Sequence, residues 1–148
     1  MKNEYHRIFP DELKVISEWI VGVKPLLAEA DYFCLRGVTY AICDSGKPLL
    51  VGGVYPLWPG VGEAWVLRRG DAPTIPLFTM RTFRRVMREA IETMKLHRLQ
   101  IDFSVTDHAG FGISKSLGFE PEGLMRKYTY DQQDRMRMAI IVGGFSCL

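Results

Sequence analysis

Between residues 76 and 96, Leu77, Met80, Phe83, Met87, Ile91 and Met94 recur at steps of three and four. That spacing predicts a long helix with one apolar face. A run of strand character lies just before it, at 62–67, and another just after it, at 99–105. Strand, helix and strand in this order form a crossover unit, whose strands run parallel with a right-handed connection. No other feature constrains the chain as much. An all-helical bundle and a purely antiparallel sandwich are both excluded by it.

The remaining segments fill in around that unit. Val38-Thr39-Tyr40-Ala41-Ile42-Cys43 reads as a strand, and Asp44-Ser45-Gly46-Lys47 as a turn with Gly46 where positive φ is needed. Residues 48–55 make the return strand, Trp58-Pro59-Gly60 turns again, and 62–67 follows, so 37–67 is an antiparallel meander. Upstream, 4–9 is a short edge strand ending at Pro10. A helical pattern then opens at Asp11 with Leu13, Ile16 and Ile20. Gly22 and Pro25 interrupt it, and a second short helix carries Leu26, Leu27 and Ala30. Downstream, Asp107 caps a shorter helix that runs to Leu117 and stops at Gly118. Two last strands, 124–130 and 136–142, are joined by Asp131-Gln132-Gln133-Asp134. The expected class is α+β: a mixed, mostly antiparallel sheet with a central parallel pair, flanked by helices, in one domain over 1–148.

Composition narrows the function. The 148 residues are 47% apolar, ample for a packed core, and 19 Lys and Arg against 17 Asp and Glu leave a net charge of +2. So small an excess argues against nucleic acid as the partner. No apolar run is long enough to span a bilayer, and the first residues show no apolar signal core. A cytoplasmic protein without a membrane partner is expected. Cys34, Cys43 and Cys147 have no paired spacing, and His6, His97 and His108 are scattered, so no metal is expected.

The segment Val105-Thr106-Asp107-His108-Ala109-Gly110-Phe111-Gly112-Ile113-Ser114-Lys115-Ser116-Leu117-Gly118-Phe119-Glu120 ends in Lys-Ser-Leu-Gly-Phe. Placed after a crossover unit and before two strands, it resembles the corresponding stretch of the GNAT superfamily of acyl-CoA-dependent N-acetyltransferases. The order of elements over 4–142 is similar as well. The resemblance implies transfer of an acetyl group from acetyl-CoA to an amine, with the coenzyme lying where the two parallel strands splay at their carboxyl ends. The backbone of Trp65, Val66 and Leu67 would then meet the acyl carbonyl and the pantetheine arm. Arg68, Arg69 and Gly70 would meet the pyrophosphate at a helix N-terminus, where unpaired amides and the helix dipole favour anions. Asp107 stands at the family's Asn, and Ser114 at the position of its Tyr general acid.

The chain departs from that pattern in the phosphate loop. The family's loop reads Gln/Arg-x-x-Gly-x-Gly/Ala. This one reads Arg68-Arg69-Gly70-Asp71-Ala72-Pro73-Thr74-Ile75-Pro76, with one glycine and two prolines that lack amide donors. Arg68 and Arg69 would compensate through charge. A second resemblance, to GNAT-like proteins of short-tailed phages, rests on Gly46-Lys47-Pro48-Leu49-Leu50-Val51-Gly52-Gly53 and a Trp in the next strand. It implies the alternative function, a structural or interaction protein that keeps the fold without the chemistry. Its partner would be a second copy, in a homodimer, or another component of a virion.

Each candidate side chain has a plain structural counterpart. Glu63, on the strand lining the expected cleft, is either the general base or a solvent-facing residue beside a turn. Ser114 is either a weak proton donor to the leaving thiolate or a helix-surface serine. Tyr128 and Tyr130 would supply a phenol or else pack on the sheet. Arg81, Arg84, Arg85 and Arg88 reach a phosphate or pair with Glu89 and Glu92 one turn on. Trp58 and Trp65 wall a pocket or belong to the core.

Overall fold

The computed structural model describes residues 3–13, 32–68 and 77–143. The strands are β1 (Asn3–Arg7), β2 (Val38–Asp44), β3 (Lys47–Trp58), β4 (Val61–Arg68), β5 (Arg98–Ser104), β6 (Glu120–Met125) and β7 (Arg135–Ile141), and the two long helices are α1 (Leu77–Met94) and α2 (His108–Ser116). A helix also begins at Pro10, with described residues to Leu13, and Tyr32–Arg36 forms one π-helical turn. The expected helical positions Ile16 and Ile20, and the second short helix expected around Leu26, Leu27 and Ala30, lie outside the described residues.

All seven strands share one sheet in the order β1-β2-β3-β4-β5-β7-β6. Every neighbouring pair is antiparallel except β4 and β5, which run parallel. The α+β class and the central parallel pair are as the sequence leads one to expect. Gly118, at φ 101°, stops α2 as expected, because a left-handed conformation is open to a residue without Cβ.

Alternation along the strands divides the sheet into two faces. On one, Leu99 and Phe103 of β5 and Met138 of β7 pack with Val54, Val86, Ala90 and Phe119 under α1 and α2. On the other, Ala41 and Val51 pack with Ile8, Leu13 and Cys34, flanked by Trp65 and Leu67. Beyond that second cluster, the same face of β4, β5 and β7 carries polar side chains.

Two local expectations are corrected. The most buried seam of α1 is Thr79, Thr82, Val86 and Ala90, while Met80, Phe83, Met87, Ile91 and Met94 are only half-buried. Small residues let the helix approach closely, and its larger side chains flank the contact, with Phe83 and Met87 at the edge of a cavity. The second correction concerns β6, which starts at Glu120 and ends at Met125, not at 124–130. Pro121 and Gly123 speak against a strand in the sequence but are tolerated on this edge strand, where a register shift falls between them. Tyr128 and Tyr130 therefore lie beyond the strand and are exposed, so neither packs on the sheet.

Candidate active site

The parallel pairing of β4 with β5 is short. Val61, Gly62 and Glu63 align with Arg98, Leu99 and Gln100, and the ladder ends there. Past that rung, β4 continues to Arg68 against β3 alone, and β5 continues to Ser104 against β7 alone. Backbone groups of 64–68 on the side towards β5 thus have no strand partner in β5. The strands part at their carboxyl ends, which in open sheets is where ligands bind.

A cavity of about 480 Å³ fills this gap. Ala64, Trp65, Val66, Leu67 and Arg68 of β4 form one wall, and Ile101, Asp102, Phe103 and Ser104 of β5 the other. Phe83 and Met87 of α1 lean over it, and Asp107 and Ser114 approach from α2. Its lining comes from both faces of the sheet, with Trp65 on one and Ala64 and Phe103 on the other.

Glu63 sits at the last paired rung. Gln100 Nε2 donates to its Oε2 at 3.1 Å, and Arg137 Nη2 lies 3.7 Å from its Oε1. Its side chain is 13% exposed. Burial pushes its carboxyl above the ordinary carboxylate range. The neighbouring Asp102 carboxyl adds to the rise, and Gln100 and Arg137 oppose it. Glu63 is not itself in the cavity wall, whereas Trp65 and Asp102, on the same face, are.

Sequence reasoning missed the side chains around Glu63. Arg98 Nε donates to Gln100 Oε1 at 2.9 Å, and its guanidinium forks onto Glu122 at 2.7 and 2.5 Å. Asp102 is bound by Arg135 at 2.9 Å and by Arg137 at 3.2 Å. The network thus runs from β6 through β5 to β4 and β7, all on one face. Its signal was present in the strict alternation of Arg98-Leu99-Gln100-Ile101-Asp102-Phe103 and of Arg135-Met136-Arg137-Met138. Without knowing that β5 and β7 are neighbours, nothing ties these two polar rows together.

The other expected residues are placed as follows. Trp65, Val66, Leu67, Arg68, Asp107 and Ser114 all line the cavity, while Arg69 and Gly70 lie outside the described residues. Asp107 caps α2, its Oδ1 accepting from the Gly110 amide at 2.8 Å. Ser114 is 4% exposed, so it is no surface serine. It reaches the cavity from the helix face of the sheet, opposite to Glu63. Trp58 is 60% exposed at the end of β3, whereas Trp65 is half-buried in the wall. Among the described residues the α1 arginines form no ion pair with Glu89 or Glu92. Instead Glu89 accepts from the Tyr40 hydroxyl at 2.6 Å, Arg85 lies over the Tyr5 ring at 5.7 Å, and Arg84 reaches the Ser116 carbonyl at 3.4 Å. Tyr40 also lines the cavity, but burial and then Glu89 push its phenol up to about 12, which suits it poorly to donate a proton at neutral pH.

Solved structures that share this fold include acetyltransferases. A ribosomal-protein-alanine N-acetyltransferase from Brucella melitensis superposes with a TM-score of 0.75 at 15% identity, covering 94% of this chain and 99% of that one. The fold is that of the GNAT acetyltransferases. An acetyltransferase from Bacillus subtilis, solved in complex with CoA, matches at 0.71 and 13% identity over 96% of this chain and 100% of its own. A variant of the spermidine N-acetyltransferase from Vibrio cholerae matches at 0.70 and 13% identity over 94% of this chain and 93% of its own. No protein-family model and no curated protein matches the sequence. Among the described residues of this GNAT fold, no helix is long and apolar enough to cross a membrane, and no group of His, Cys, Asp and Glu is arranged to hold a metal ion.

Proposed function

We propose that this protein transfers an acetyl group from acetyl-CoA to an amine. The observation that carries the reading is the opening between β4 and β5, with Glu63 on the last paired rung before it. The opening suits the coenzyme on two counts. Its walls are mostly apolar, as an alkyl arm requires, and past Glu63 the edge of β4 towards β5 is not paired with that strand, which leaves room for the arm's amides along it. Acetyl-CoA supplies an activated acyl group as a thioester. The backbone of Trp65, Val66 and Leu67 would hold the acyl carbonyl and pantetheine arm, and Arg68, exposed at the end of β4, would meet the phosphates. In the same reading Arg69 and Gly70 continue that contact, and Asp107 steadies the first turn of α2 beside it.

Glu63 would take a proton from the acceptor's ammonium group, leaving a neutral amine able to attack the acyl carbonyl. A carboxylate whose pKa is raised is suited to this, because it binds the proton more firmly than an exposed one. Ser114 would donate a hydrogen bond to the departing sulfur. A serine hydroxyl is too weak an acid to do more than that unaided.

The acceptor is to be found by direct assay. Release of CoA thiol should be followed with spermidine, with peptides bearing an N-terminal alanine, and with simple primary amines. Turnover on any of them that disappears in Glu63→Gln supports the reading, and no turnover at millimolar acetyl-CoA with any of them counts against it. In that event the alternative gains, a GNAT-like interaction protein of phage virions. It draws on the single-glycine loop after β4, of which 69–76 lie outside the described residues.

A further inference from the structure

One guanidinium serves two carboxylates on the polar face of the sheet. Arg137 Nη2 lies 3.2 Å from Asp102 Oδ2 and 3.7 Å from Glu63 Oε1. Asp102 is also gripped by Arg135, whose Nε donates to Oδ1 and whose Nη2 donates to the Asp102 carbonyl oxygen, each at 2.9 Å. Arg137 Nε is buried and has no hydrogen-bond partner among the described residues. The Arg137 side chain is therefore tethered chiefly through Asp102.

We propose that Asp102 is a positioning residue: by holding Arg137 in the shorter contact, it keeps that guanidinium from closing onto Glu63 and leaves Glu63 able to accept a proton. The proposal rests on the reading of Glu63 as the base. Its physical basis is simple. An arginine in full contact with a carboxylate stabilises the ionised form and makes it a poor base, while a neighbouring carboxylate does the opposite. Here the cation is shared and the second carboxylate stays close.

Other groups face Glu63 too: the hydrogen bond from Gln100 favours its ionised form, and Arg98 feels its charge. Gln100 on β5 is neutral, and Arg98 is occupied by Glu122 of β6. Arg135 on β7 is committed to Asp102, and Tyr55 on β3 stands opposite Glu63 in the antiparallel register. Burial, the Asp102 contact and the opposing pull of Gln100 and Arg137 on the Glu63 carboxyl agree with the geometry.

The test is a carbon-13 NMR titration of the Glu63 carboxyl in the coenzyme-free protein, with the pH profile of acetyl transfer measured alongside. Asp102→Asn should move the Glu63 midpoint down by about one pH unit, because Arg137 is freed to pair with Glu63 and a like charge is gone. Arg137→Gln should move it up, and Asp102→Glu should restore the wild-type value. A midpoint that stays put in Asp102→Asn, or that moves the same way in both variants, overturns the proposal. Should Asp102→Asn fail to fold, as thermal melts will show, Arg137→Gln must still raise the midpoint or the sharing is refuted. Opposite shifts that the acid limb of kcat/KM does not follow would sustain the sharing of Arg137 and overturn Glu63 as the base.

Discussion

Gln100 donates a hydrogen bond to Glu63 at 3.1 Å across the last rung that joins β4 to β5. One contact therefore fixes both the orientation of the proposed base and the place where the two strands part. Gln100 is 5% exposed, so water does not compete for that bond.

Replacing Glu63 with Gln keeps the shape and removes the proposed base. Turnover at neutral pH should fall by about 10²-fold or more, with coenzyme affinity nearly unchanged, since Glu63 does not itself line the cavity. Steady-state kinetics together with a binding titration check this. An unaltered rate would remove Glu63 from the mechanism.

Stability should respond to pH in opposite senses at two glutamates. Glu63 has a raised pKa in the fold, so its contribution is present below its unfolded value, near pH 4, and is lost as pH rises through the folded value. Glu63→Gln should thus gain in Tm relative to wild type as pH rises above about 4. Glu122 has a pKa lowered first by its hydrogen bond from Arg98, so its contribution is present above the unfolded value and lost as pH falls through the folded one. Glu122→Gln should cost about 1–3 °C in Tm at pH 7, as befits an exposed pair, and nothing near pH 2. Thermal melts from about pH 2 to neutral and above decide both.

The crossover unit was legible because its signals are local. The apolar period over 77–94, the turn at Ser45-Gly46 and the cap at Asp107 each rest on residues within a few positions of one another. Of the candidate site, Glu63, Trp65 and Ser114 could be named in advance because the GNAT resemblance assigns places to them relative to those signals. The geometry then puts Trp65 and Ser114 at the cavity and Glu63 beside it. Asp102, Arg135 and Arg137 escaped because their meaning depends on β7 lying beside β5, a pairing of residues 33 and 35 positions apart. The start of β6 escaped because Pro121 and Gly123 break a strand pattern that an edge position tolerates.

Gly53 of β3 lies close against β2, opposite Thr39. A Cβ added there would lie 1.9 Å from the Val38 carbonyl oxygen, far inside contact distance. Gly53→Ala should destabilise the protein by at least about 2 kcal/mol, or about 5 °C in Tm. A melt within about 1 °C of wild type would show that the strands give way freely.

Asp107 holds the start of α2 through the Gly110 amide. Asp107→Ala should cost about 1 kcal/mol, and Asp107→Asn much less, as measured by urea unfolding. Equal losses in the two variants would mean that the charge matters and the cap does not.

The central claim, that acetyl-CoA enters the opening between β4 and β5, is tested most directly by calorimetric titration of the protein with acetyl-CoA at low and high salt. Saturable binding is expected, weakening as ionic strength rises, because Arg68 and its neighbour in sequence Arg69 must stand in for the missing glycine amides. Arg68→Ala should weaken it further, whereas Thr93→Ala, exposed near the far end of α1, should leave it unchanged. No heat and no thermal stabilisation at millimolar acetyl-CoA would contradict the account.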